Sequence, residues 1–225
     1  MSPRGGGAGP EREDDIMPFT LPAGSDVVEE TEVKHSRFIA ALRRVDSPAD
    51  AQAFLDEQRR LHPDARHHCW AYVTGNEPSE RAERSGDDGE PGGTAGVPML
   101  QVLRARDLVD VAAVVTRYFG GVKLGAGGLV RAYSGAVAVA ADAARPTLLS
   151  RERLDLLSLD VGHDTAGRIE AELRGRGIPV VDTVYGAEVT FTLATKDPGH
   201  LAAVVAELTA GAGELEPAGV RWVDV

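Results

Sequence analysis

Three cations, Arg117, Lys123 and Arg131, are spread through "TRYFGGVKLGAGGLVRAYSGA", a stretch with no carboxylate of its own. They are the only charged residues between Asp110 and Asp142, so a local charge of +3 sits inside a chain whose net charge is -11. Glycines at 120, 121, 125, 127 and 128 surround them. Glycine lets backbone N–H groups approach a ligand without obstruction by a Cβ. The start of the helix that follows adds orphan N–H donors and the positive end of its dipole. Arg117, Lys123, Gly125, Gly127, Gly128 and Arg131 are therefore expected to cradle a phosphate or carboxylate, with charge-assisted hydrogen bonds worth about 1.5 to 3 kcal/mol each. The same composition also suits a tight turn whose cations are solvated or paired with an acidic loop. Named nucleotide motifs do not fit: Leu124 follows Lys123 where a Walker loop needs Ser or Thr, and Val130 occupies a dinucleotide-fingerprint glycine position.

A second cluster, "SGDDGEPGGTAG", brings Ser85, Asp87, Asp88, Glu90 and Thr94 close together in sequence. Oxygen ligands on a glycine-rich turn could hold magnesium beside a bound phosphate, or could hold the cationic loop through salt bridges. The spacing is not that of a calcium loop. In "RHHCW", strand alternation would put His67 and Cys69 on one face, yet no second ligand pair with zinc spacing occurs. The expectation is a buried Cys69, with His68 lining the cleft. Neither a metal nor another cofactor is expected, and no residue set identifies a reaction. The chain reads as a binding protein rather than an enzyme.

The elements that must position these groups follow from periodicity and punctuation. "MSPRGGGAGPEREDD" has no apolar period, so residues 1–22 are expected to be a disordered tail, with Met17 a candidate alternative start and order beginning near Asp26. One or two strands follow, the second centred on Phe38 and Ile39. Ser47 and Pro48 open a helix whose inward face is Ala51, Phe54, Leu55 and Leu61. "HHCWAYVTG" reads as a strand, the segment from Asn76 to Gly96 as one long loop, "TAGVPMLQVL" as a short helix, "DVAAVVTRYF" as a buried strand and "GAGGLVRAYSGAVAVAADAA" as a small-residue helix. Residues 145–151 are expected to be a linker between a domain at 23–144 and one at 152–225. The latter reads β-α-β-β-α-β, the ferredoxin-like order, with Asp164 capping its first helix and Asp197 and Pro198 opening its second.

Composition sets the outer limits. Hydrophobic residues at 43% and charged residues at 26% are those of a globular chain, and 225 residues suit two modest domains. No apolar run approaches the roughly 20 residues of a membrane span, the N-terminus lacks a signal-peptide core, and the single cysteine cannot build a disulfide framework. No membrane partner is expected, and the cytoplasm is the expected compartment. The net charge opposes broad coating of nucleic acid, so an anion site must be local.

Taken in order, "KHSRFIA", "HHCWAYVTG", "SGDDGEPGGTAGVPML" and "VVTRYFGGVKLGAGGLVRAYSGA" resemble the YigZ/IMPACT family. The resemblance implies an α+β chain of two domains. The first would have the fold of domain two of ribosomal protein S-five and of galactokinase-type small-molecule kinases; the second would be ferredoxin-like, similar to domain V of elongation factor G. It also implies that the acidic and cationic loops face one another across a cleft. Eukaryotic members regulate translation initiation by interfering with activation of a stress kinase, through an additional N-terminal partner-binding domain. The segment before Asp26 is too short for that domain, so the broader link to translation carries over: RNA or the ribosome as partner, bound at the basic glycine-rich surface. The alternatives are an enzyme or sensor for a small phosphorylated metabolite or nucleotide, and a protein-binding adaptor. The adaptor is favoured by 13 acids against 7 Lys and Arg from Arg151 onward.

Overall fold

The computed structural model describes residues 18–77 and 79–225. The chain divides into one unit ending at Arg151 and another running from Glu152 to Val225. Both are α+β. The first contains β1 (Phe19–Thr20), β2 (Val27–Val33), β3 (Ser36–Arg44), α1 (Pro48–Leu61), β4 (His67–Thr74), β5 (Ala82–Gly86), α2 (Gly96–Ala105), β6 (Val111–Tyr118) and α3 (Ala126–Ala144). Its main sheet has the order β2-β3-β6-β4-β5, with every neighbouring pair antiparallel.

Period-two alternation divides the central strand between two helical layers. Val111, Ala113 and Val115 pack with Phe38, Leu42, Cys69 and Val73 beneath α2 and α3, while Ala112 and Val114 pack with Val45, Phe54 and Leu55 beneath α1. That two-sided burial explains why β6 reads as an unbroken apolar run. On α3 the buried set is Leu129, Ala132, Tyr133, Ala136, Val137, Ala140, Ala141 and Ala144. This helical stripe is dominated by alanine, whose small side chain lets the helix lie close to the sheet.

Ser47 caps α1 as its type suggests, its Oγ accepting from the Asp50 N–H at 3.2 Å, and Pro48 occupies the first turn. Leu61 does not face inward. It is 61% exposed at the last position of α1, one turn beyond the last buried residue, Gln58. Two other expectations are corrected. The segment from Asn76 to Gly96 contains the edge strand β5, which lacks an apolar period because an edge strand leaves much of its surface to solvent. Residues 1–17 of the expected tail lie outside the described residues, but Pro18–Pro22 are ordered. Phe19 and Thr20 pair with Ser150 and Leu149, and Leu21 is fully buried.

The expected linker forms a 3-10 turn at Arg145–Thr147 and then the beginning of β7 (Leu149–Val161). The second unit continues with α4 (His163–Gly175), β8 (Val180–Tyr185), β9 (Val189–Thr195), α5 (Pro198–Leu208) and β10 (Leu215–Asp224). Its sheet order, β8-β9-β7-β10, is the ferredoxin-like arrangement. Leu159, Phe191, Leu193, Ile169, Leu173, Leu201 and Val205 form its core. Gly162, not Asp164, is the N-cap of α4; Asp164 lies in the first turn, where its charge suits the dipole without capping the helix. Asp197 caps α5, accepting from His200 N–H at 2.9 Å. Among the described residues, no helix is long and apolar enough to cross a membrane.

Candidate functional site

Lys34, Lys123 and Arg131 lie towards one end of the main sheet of the first unit. There β2 turns into β3 through Lys34 and His35, with φ of 47° and 65°. A two-residue hairpin loop of this kind needs positive φ at both central positions, which is why Asn-Gly is its favoured sequence. Here the two positions are held by Lys34 and His35 instead of Asn and Gly. The loop leaving β6 is pinned to the same turn. The Gly120 N–H donates to the buried Ser36 Oγ at 3.1 Å, and a Cβ on Gly120 would lie 2.0 Å from the His35 carbonyl carbon. Only glycine fits, and the fit fixes the loop carrying Phe119 and Lys123 beside Lys34.

At the end of that loop Gly125 is the N-cap of α3 with φ 71°, a conformation that favours glycine, and no side chain caps the helix. The first turn of α3 contains no acid. Lys34, Lys123 and Arg131 are exposed and have no carboxylate partner among the described residues. A concavity of about 160 Å³ opens here, lined by Val33, Lys34, Leu124, Gly128, Arg131 and Ala132. Gly127 does not need its missing side chain for space: a Cβ there would make only an ordinary contact with Arg131 at 3.6 Å. Gly128 is tighter, its Cβ falling 3.1 Å from that of Leu124.

Arg117 belongs to a different structure. It lies on the core side of β6, and its side chain is 7% exposed and ion-paired with the equally hidden Glu90, Nη1 to Oε1 at 2.5 Å. Tyr133 Oη donates to the same carboxylate oxygen at 2.7 Å. The guanidinium carbon stands 5.4 Å from the Phe38 ring centroid and 5.6 Å from that of Phe119. Nε has no hydrogen-bond partner among the described residues. Arg117 is thus a buried strut, and of the three cations only Lys123 and Arg131 are placed to meet a ligand.

The acidic loop is likewise turned inward. Asp87 Oδ1 accepts from the N–H groups of Ala95 at 3.0 Å and Gly96 at 2.8 Å, and Oδ2 from Gly93 at 2.8 Å, so the carboxylate caps α2. Burial alone would raise its pKa, but the three N–H donors outweigh burial and hold it below the ordinary value. Asp88 accepts from His68 N–H at 2.7 Å and from Arg59 at 2.9 Å, while its carbonyl lies 2.9 Å from His67 Nδ1. Thr94 Oγ1 donates to the Pro91 carbonyl at 2.6 Å and is buried. Ser85 sits in β5 opposite Ala71.

His68 is buried, with Nε2 3.2 Å from the His62 carbonyl, and burial lowers its pKa. Cys69 is fully buried beside this loop, donating to the Asp87 carbonyl, and burial pushes its thiol up to about 12. It is inert as a nucleophile at neutral pH. Among the described residues, no three His, Cys, Asp or Glu side chains gather as a metal site. The acidic loop meets the end of β6 through Glu90 and Arg117, in a closed contact rather than across an open cleft. Lys34, Lys123, Arg131 and the N–H groups at the start of α3 are left as the exposed positive groups at this end of the sheet.

Lys34 and Phe119 were not singled out from the sequence. "KH" carries no Asn or Gly to announce a tight hairpin, and Phe119 continues the apolar run of β6. Half of Phe119 is nevertheless exposed.

Comparison with known proteins agrees with this two-part architecture. The family described as "Impact N-terminal domain" matches residues 34–141, and "Domain of unknown function (DUF1949)" matches residues 159–212. "IMPACT family member YigZ" of Escherichia coli (strain K12) is 48% identical over 119 residues, 53% of this chain and 58% of that protein. A crystal structure described as that of a hypothetical protein is 35% identical, with a TM-score of 0.66 over 91% of this chain and 99% of the other. "IMPACT family member YvyE" of Bacillus subtilis (strain 168) is 37% identical over 194 residues, covering 85% of this chain and 88% of that protein. The chain belongs to the IMPACT family.

Proposed function

We propose that this chain is a non-enzymatic regulator linked to translation, and that it binds RNA, alone or within the ribosome, through phosphate contacts at Lys34, Lys123, Arg131 and the start of α3. One observation carries the reading: Lys34, Lys123 and Arg131, exposed and without carboxylate partners among the described residues, lie near the acid-free start of α3, whose N-cap is a glycine, in a chain of net charge -11. Family membership supplies the link to translation, because eukaryotic members regulate initiation. The site is local, so the binding it supports is directed rather than a general coating of nucleic acid. The test is a full-chain variant combining Lys34→Ala, Lys123→Ala and Arg131→Ala, measured by ribosome co-sedimentation and RNA anisotropy between about 50 and 200 mM salt. Binding at low salt should fall, and the salt slope should shrink by about 2 to 3. Unchanged binding would sink the reading.

The concavity beside Leu124 and Gly128 favours one second reading, a sensor of a small phosphorylated metabolite. Under that reading a ligand at 100 times its Kd raises stability by about 2.7 kcal/mol. A thermal-shift screen of nucleotides and sugar phosphates that moves nothing removes it.

A further inference from the structure

We infer that the RNA taken at this surface is single-stranded and that Phe119 is the platform on which one of its bases stacks; the inference rests on the phosphate-binding reading above. Phe119 is 50% exposed, and Val122, three residues on, is 42% exposed. The ring is backed by the Arg117 guanidinium, 5.6 Å from its centroid. That guanidinium cannot swing away, because Glu90 holds it, Tyr133 holds Glu90 and the Phe38 ring lies 5.4 Å from it on the core side. The backbone after the ring is equally fixed by the close approach of Gly120 to the His35 carbonyl. The protein has therefore built a rigid support for an aromatic ring and left half of that ring uncovered.

A half-exposed aromatic residue in the loop that carries Lys123, a cation without a carboxylate partner among the described residues, suits a polyanion that also offers flat apolar faces. Single-stranded nucleic acid does, since every unpaired base has a π face that can stack on an aromatic side chain. In a duplex those faces are already stacked inside, and only the phosphates remain for Lys34, Lys123 and Arg131. Three phosphate contacts are few for a chain of net charge -11, so stacking supplies affinity that charge does not. A protein partner fits less well, because Phe119 and Val122 are two exposed apolar residues in a short loop that also carries Lys123, not a broad apolar patch.

The experiment uses the full chain and a fluorescein-labelled single-stranded RNA of about 12 nucleotides, within the site sizes of single-strand binders, alone or annealed to its complement. Wild type should bind the single strand more tightly than the duplex. Phe119→Ala should weaken single-strand binding by about 5- to 150-fold, leave duplex binding and the salt slope unchanged, and be rescued by Phe119→Trp. The added indole emission of Phe119→Trp over wild type should be quenched by the single strand. Half the ring is already in water, so folding of Phe119→Ala is checked by its circular dichroism and urea midpoint. If a folded Phe119→Ala binds both RNAs as wild type does while the triple cation variant loses both, stacking is overturned and phosphate binding stands. If neither variant changes binding, both readings fall.

Discussion

Removing the Glu90 carboxylate would strand the Arg117 guanidinium between Phe38 and Phe119 with no anion to neutralise it. Breaking a buried ion pair from one side costs about 3 to 5 kcal/mol, so Glu90→Ala should lower unfolding stability in urea by that order. It should also loosen the ring that rests on Arg117. Asp87 makes a different prediction, because its carboxylate accepts from the N–H groups that open α2. Its pKa is lowered in the folded chain from an ordinary 3.8, so its stabilisation is present above that value and is lost as pH falls through the folded one. Asp87→Asn should therefore cost about 0.5 to 2 kcal/mol near neutrality, with the gap to wild type closing below about pH 3.8. Thermal melts of both proteins across that range measure it; a gap independent of pH would mean the charge is not what caps α2. Residue types alone marked Asp87, Glu90 and Arg117 as chemically important. Their inward direction was not legible, because it depends on whether a loop meets a helix start or open solvent.

Elements announced themselves in the sequence where local chemistry decides them. Ser47-Pro48 and Asp197-Pro198 open α1 and α5 because cap and φ preferences act within one turn. Strand β5 was hidden because its pairing with β4 is a tertiary event that its own composition does not demand. The β2-β3 hairpin was legible as one or two strands but not as a turn, since Lys34 and His35 both adopt positive φ where the favoured turn residues are Asn and Gly. Left-handed backbone costs roughly 1 to 2 kcal/mol at each such residue. Replacing the pair by Lys34→Asn with His35→Gly should therefore stabilise the unit while weakening RNA binding, because the turn gains its preferred chemistry and the site loses a cation. Differential scanning calorimetry and anisotropy on the same preparation would read both. A stabilised variant with undiminished binding would remove Lys34 from the site.

At the scale of the whole molecule, charge is uneven: 13 acids stand against 6 Lys and Arg from Glu152 onward, so the second unit offers little to a phosphate backbone. Affinity for single-stranded RNA should accordingly show a shallow salt dependence, with a slope near about -2 for three contacts. A titration series giving a much steeper slope would mean that cations outside the proposed site take part. The β-α-β-β-α-β order was readable in full, whereas the site was only half readable, because its parts come from opposite ends of the first unit. Gly120 and Ser36, whose hydrogen bond joins them, are 84 residues apart in the chain. A contact of that span forms only after the intervening chain has closed upon itself, and such closures are slow. RNA-binding competence in refolding should thus return with the slowest phase. During synthesis the hairpin tip would stay without its partner loop until the strand and glycines beyond Val111 had emerged, so the surface also marks the completion of its own unit.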